Sequence, residues 1–187
     1  MAEQTPAAHH RTVAAVFTER VRGTADWEVP APVPEWTARD VVRHLTTWFP
    51  GFLSAAGVGL PAGPSVDDDP VAAWEHQAGA VQALLDDPES AERTIANPHL
   101  GEMTVAGATD MIYTADVFMH TWDLARATGQ DDRLDPGFCA ALVAGMERME
   151  EAIRSSGQYG ARVPVPDDAD AQTRLLGFIG RDPEWKP

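Results

Sequence analysis

Asp116 and His120 stand four residues apart in a segment that is otherwise strongly apolar, with Met111, Ile112, Val117, Phe118, Met119, Trp122 and Leu124 around them. A helix of that composition belongs inside a protein. Along it Thr109, Tyr113, Asp116, His120 and Asp123 recur every three or four residues and form one polar stripe. A carboxylate on such a stripe has to be paired or to coordinate a metal, because leaving it bare in the interior costs several kcal/mol. His44, one turn from Val41 and Trp48 on another segment, is the natural third donor. Two imidazole nitrogens and one carboxylate oxygen make a zinc-type ligand set that nickel or iron also accept. With three protein ligands, positions stay open for water or substrate, which is the catalytic rather than the structural pattern. A second reading of the same residues stays open: Asp116 neutralises Arg39, Arg43 or Arg126, and His120 is a satisfied core histidine.

Other chemistry-bearing residues have plainer readings beside the sharper ones. Asp123, one turn past His120, either orients it or bonds Arg126. His99 and Glu102 supply a further ligand or a proton relay, or else sit on a surface loop. Asp40 reads as a helix-capping residue. His9, His10 and His76 read as solvated, and Cys139 as a small core residue. The run Asp67-Asp68-Asp69 is a loop and cap signal, since the glycine and downstream glutamate of a calcium loop are missing.

The elements that must position these groups are helical. A first helix is predicted over residues 5–21, where Val13, Val16, Phe17 and Val21 recur before Gly23. After a Pro-rich connector, Thr37 and Asp40 form a capping box, and Trp36 with Val41 a hydrophobic staple. That second helix carries Val41, Leu45, Trp48 and Phe52 and is expected to break or kink at Pro50-Gly51. Asp69-Pro70 opens a third, with Val71, Trp74, Ala78, Val81 and Leu85 on its face. Residues 86–103 look irregular, with a short extended segment. The polar stripe lies on a fourth helix over 104–128, stopped by Gly129. Asp135-Pro136 opens a fifth that buries Phe138, Leu142, Met149 and Ile153, and a last short helix covers 168–179. Long helices joined by modest loops make an all-α four-helix bundle with additional short helices the economical architecture.

Composition narrows the partners. The 187 residues suit one domain. Against 29 acidic residues there are 14 basic ones, a formal charge of −15 that repels nucleic acid and anionic membrane surfaces alike. One cysteine forms no internal disulfide and suits a reducing compartment, and neither a signal peptide nor a run of eighteen apolar residues is present. The expectation is a cytoplasmic protein with no nucleic-acid or membrane partner.

Three blocks of the chain resemble one family. They are Thr37 to Leu45 after Trp36, reading TARDVVRHL; Asp116 to Gly129, reading DVFMHTWDLARATG; and Leu176 to Trp185, reading LGFIGRDPEW. Together they are similar to actinobacterial metal-binding proteins related to the N-terminal domain of mycothiol-dependent maleylpyruvate isomerase, in the DinB-like superfamily. The resemblance implies an up-down-down-up bundle and a divalent metal on His44, Asp116 and His120. It also implies a small thiol, mycothiol, as cofactor and an electrophilic small molecule as substrate, in a transferase or isomerase. Two departures stand out. The connector reads Pro32-Val33-Pro34-Glu35 where relatives often have Cys and Gly, and the sequence stops at Pro187, without the second domain that the isomerases carry. A substrate other than maleylpyruvate is therefore expected. The alternatives are a metal-dependent hydrolase and a non-catalytic metal- or ligand-binding module in stress response. Exposed faces of such bundles often dimerise, so a homodimer is compatible with either.

Overall fold

A computed structural model describes residues 4–97, 101–155 and 157–187. Helix covers more than half of the chain. Four long helices build the bundle: α1 (Pro6–Gly23), α2 (Ala38–Ala55), α3 (Pro70–Asp86) and, after the one-turn α4 (Pro88–Ala91), a helix that runs from Val105 to Thr128. Around the bundle α1 packs on α3 and on the last of these, and α2 does the same from the opposite corner. The capping chemistry works as the residue types dictate. Thr5, Thr37, Asp69 and Thr104 each accept an N–H of the first turn, and Pro6 and Pro70 occupy positions where the missing N–H costs nothing. Phe17, Leu45, Phe49, Leu53, Trp74, Trp122 and Leu124 are fully buried between the helices.

Of the two outcomes expected at Pro50 the break is ruled out, and the fourth helix departs from the single α-helix expected. Pro50 neither breaks nor ends α2, which continues to Ala55. The ring removes one hydrogen bond, but Phe49 and Leu53, buried on either side of it, hold the turn in place. The fourth helix is not uniform either. It comprises α5 (Val105–Ala108), a π-helical segment over Thr109–Thr114 and α6 (Ala115–Thr128), ending at left-handed Gly129. The wider π turn leaves the apolar pattern intact, which is why periodicity does not reveal it.

The irregular stretch holds a small antiparallel hairpin, β1 (Thr94–Asn97) with β2 (Gly101–Thr104), in register Thr94 with Thr104. The expected fifth helix is interrupted at Arg148, giving α7 (Pro136–Glu147) and α8 (Glu150–Ser155). Met149 falls at that interruption and is half exposed instead of buried. Helix α9 (Ala171–Phe178), capped by Asp170, packs along α7. Phe138 of α7 meets Phe118 of α6 at 4.5 Å between ring centroids, docking this annex on the bundle. No helix among the described residues is long and apolar enough to cross a membrane.

Candidate metal centre

Helices α2 and α6 lie side by side, and the stripe on α6 faces α2. One turn above the eventual centre, the Tyr113 hydroxyl donates to the Leu45 carbonyl at 3.2 Å, and its ring stacks on Phe49 at 4.2 Å. These contacts fix the register that brings His44 of α2 to Asp116 and His120 of α6. His44 Nε2 is 3.0 Å from Asp116 Oδ2, and His120 Nε2 is 3.4 Å from Asp116 Oδ1. One donor atom from each residue lies within 4.8 Å of the others.

This arrangement fits a divalent ion. Nitrogen and oxygen ligands at about 2.0–2.1 Å from a common centre sit roughly 3.0–3.4 Å from one another; each histidine meets that spacing to its own oxygen of Asp116, and the set of three converges within 4.8 Å. A carboxylate only accepts, so without a metal the proton facing Asp116 belongs to His44, and an ion would take its place. At His120 the proton is already out of the way. Its Nδ1 donates to Asp123 Oδ2 at 2.8 Å, which leaves the Nε2 lone pair pointing toward Asp116.

Both carboxylates are charged, Asp123 fully buried and Asp116 half-buried. Burial pushes the Asp116 carboxyl up, but the charge that His120 carries when both its nitrogens are protonated, together with the hydrogen bonds from His44 and the Trp48 indole, outweighs it and holds it below the usual carboxylate range. The indole N–H donates to Oδ2 at 2.9 Å. Asp123, 1% exposed, is held from two sides. Burial again pushes it up, and the Arg181 guanidinium with the His120 hydrogen bond brings it down to about 2.

Aromatic rings wall the site. The Trp36 ring stacks on His120 at 5.7 Å and lies 5.1 Å from His44, while Trp48 stacks on His44 at 6.0 Å. Trp36 arrives there through a tight turn in which Glu35 adopts left-handed backbone, φ 67°, and the Trp36 carbonyl accepts from Ala31. Exposure falls from 30% at the His44 side chain through 18% at Asp116 to 7% at His120. The centre is thus most open to solvent on the His44 side.

The arginines that offered the plainer reading of Asp116 are engaged elsewhere. Arg39 pairs with Glu28 and the Val66 carbonyl, Arg43 with Asp40 and Asp67, and Arg126 with Asp132 and the Pro183 carbonyl. Asp123 accordingly bonds His120 and not Arg126. Asp40 completes its capping box with the Thr37 N–H at 2.9 Å. Cys139 is buried as expected, and burial pushes its thiol up to about 12.

Of the three histidines read as solvated, His10 is not, and the other two are partly exposed and partnered. His9 Nδ1 pairs with Asp110 at 2.7 Å, and His76 Nε2 meets the Pro61 carbonyl at 3.1 Å, both half-buried. His10 is 1% exposed inside the bundle. Glu102 lies exposed on β2, and His99 lies outside the described residues.

Trp48 is a wall of the centre, as expected of it, whereas Trp36 and Arg181 escape sequence reasoning as site residues, and so does Tyr159, which interacts electrostatically with Asp116 and Arg181. Trp36 and Arg181 stand in family-like blocks, and a buried Asp123 calls for a cation, a signal that points to an arginine without saying which. Tyr159 carries no signal at all. Burial pushes its phenol up to about 12, with the Asp116 charge adding to the effect and Arg181 opposing it.

Comparison with known proteins agrees with the residues above. The model of the mycothiol maleylpyruvate isomerase N-terminal domain matches residues 7–125. Two proteins of Mycobacterium tuberculosis, from strains CDC 1551 / Oshkosh and ATCC 25618 / H37Rv and both described as uncharacterized, are each 32% identical over 157 residues, which covers 81% of this chain and 83% of theirs. No solved structure matches. The match spans α1 through most of α6 and includes all three convergent donors, so the chain belongs to the mycothiol maleylpyruvate isomerase N-terminal domain family.

Proposed function

We propose that the chain is a metal-dependent transferase or isomerase, acting as one cytoplasmic domain, that takes a small thiol, mycothiol in particular, and presents it to a small electrophile. The observation that carries this reading is the convergence of His44, Asp116 and His120 at ligand spacing beside a side open to solvent. A divalent ion, zinc first and nickel or iron with the same ligands, would be held by these three and would favour thiolate over thiol near neutral pH. The rest of the work falls to the chain. Asp123 keeps the His120 proton on Nδ1, the Trp48 N–H anchors the Asp116 carboxylate, and the rings of Trp36 and Trp48 line the imidazoles, with His120 the one screened from water. A screened, low-dielectric pocket strengthens every charge interaction inside it.

The test has two stages. Protein purified without chelator should carry close to one equivalent of a divalent metal. The cobalt-substituted form is then titrated with mycothiol and with an analogue in which hydrogen replaces the thiol. Sulfur-to-cobalt charge-transfer bands with mycothiol alone are the expected result. Identical spectra in both titrations would remove thiol chemistry and leave metal-dependent hydrolysis or non-catalytic binding.

A further inference from the structure

Arg181 comes to the metal centre from a part of the chain that lies beyond the family match at residues 7–125. It follows α9 across Gly180, whose left-handed backbone, φ 83°, passes so close to the neighbouring loop that a Cβ there would come within 2.7 Å of the Gly160 Cα. The same loop is tied to α9 by the Val163 N–H donating to the Gly177 carbonyl at 2.9 Å, and the Arg181 N–H donates back to Leu176 at 2.8 Å. Loop and C-terminal segment thus form one strap. Its backbone, not a flexible surface chain, sets where the guanidinium lies.

That guanidinium grips both oxygens of Asp123, Nε to Oδ1 and Nη2 to Oδ2, each at 2.9 Å. Oδ2 also accepts from His120 Nδ1. We propose that Arg181 is a positioning residue for His120, acting through Asp123: its two-pronged grip fixes the plane of the carboxylate, and the carboxylate fixes the plane and tautomer of the imidazole. This rests on the metal reading of the site. Arg–carboxylate forks are directional, so the grip restrains rotation as well as supplying charge. Asp123 is 1% exposed and its partners here are side chains, so loss of the fork leaves it free to turn about the single His120 contact. Groups that hold a ligating histidine through its second nitrogen change metal affinity by roughly 10–100-fold when removed.

Arg181→Met and Arg181→Lys are compared with wild type in the full chain, by two readouts. Nitrogen-15 NMR of the metal-free protein reports which His120 nitrogen carries the proton, and competition with a chromophoric chelator reports zinc affinity. Wild type should show the proton on Nδ1. Arg181→Met should show mixed tautomers and bind zinc roughly 10–100-fold more weakly, and Arg181→Lys, which keeps the charge but gives up the fork, should lose several-fold. A wild-type tautomer and wild-type zinc affinity in Arg181→Met, whatever its thermal midpoint, would reduce Arg181 to a structural ion-pair partner and overturn the proposal. If Arg181→Met does not fold, the same two wild-type values in Arg181→Lys overturn it. If wild type itself binds no zinc, the metal reading fails, and an unchanged tautomer then decides against the positioning role separately.

Discussion

His10 and His120 are both buried histidines of one bundle, 1% and 5% exposed, and each ties Nδ1 to a side-chain oxygen at nearly the same distance, 2.9 Å to Gln82 and 2.8 Å to Asp123. What lies around them differs. Behind His10 is a neutral amide, its ring stacks on Tyr113, and its Nε2 has no hydrogen-bond partner among the described residues. Behind His120 is a carboxylate shared with an arginine, and beyond its Nε2 stand Asp116 and then His44. Burial with one good hydrogen bond makes a core histidine. A charged acceptor behind one nitrogen and converging donors beyond the other make a candidate ligand.

Replacing each ring separates the two most sharply. His120→Ala removes a donor and leaves a buried carboxylate under-coordinated, so metal affinity should fall by about 100-fold or more, while the fold weakens moderately. His10→Leu should keep the full metal equivalent. Elemental analysis of both variants checks this, and undiminished metal in His120→Ala would place the ion elsewhere.

A milder change makes the surroundings of His120 more like those of His10. Asp123→Asn supplies a neutral acceptor and turns an amide N–H2 toward the Arg181 donors. Zinc affinity should drop roughly 10-fold, and the mismatched donors should cost about 1–3 kcal/mol of stability, read by chelator competition and by denaturant unfolding. The reverse exchange, Gln82→Glu, gives His10 a carboxylate. It should create no second metal site, because among the described residues His10 Nε2 has no hydrogen-bond partner and no second group of ligands gathers; a second equivalent of bound zinc would break the comparison.

The sequence makes one of these histidines legible and hides the other. His120 is found because Asp116 stands one turn before it on a helix too apolar to face water, and His44 because it keeps helical phase with Val41 and Trp48. His10 is misjudged by its nearness to the terminus. Thr5-Pro6 starts α1 so early that position 10 is already in phase with Val13, Ala14, Phe17 and Val21, all buried. Position along the chain says little about burial once a helix has begun. The Arg181 grip is invisible for another reason. It joins residues 58 apart, and periodicity reports only on neighbours within an element. The left-handed turn at Glu35 that swings Trp36 over His120 is hidden too, since glutamate gives no sign of positive φ. Caps, turns and apolar phase are local and readable, whereas the roof of the site depends on where distant segments dock.

The smallest effect tests the His10 side by itself. Burial lowers the His10 pKa from 6.5; the Gln82 hydrogen bond and the Asp86 charge oppose this, and the charges of Arg11 and His9 reinforce it. A folded-state pKa below the unfolded one means that, as pH falls through 6.5, the unfolded chain takes up a proton that the folded chain refuses. Stability from the neutral, buried ring is therefore fully present above pH 6.5 and is lost progressively as pH falls toward the folded-state value. The slope cannot exceed about 1.4 kcal/mol per pH unit for one proton. Denaturant unfolding of metal-free wild type and His10→Leu between pH 7.5 and 5 isolates this contribution, because every other ionisable group is common to both proteins and cancels in the difference. Wild type should lose stability more steeply than the variant below pH 6.5. Parallel curves would mean that the unpartnered Nε2 is protonated as readily in the fold as outside it, and His10 would then no longer serve as the neutral counterpart of His120.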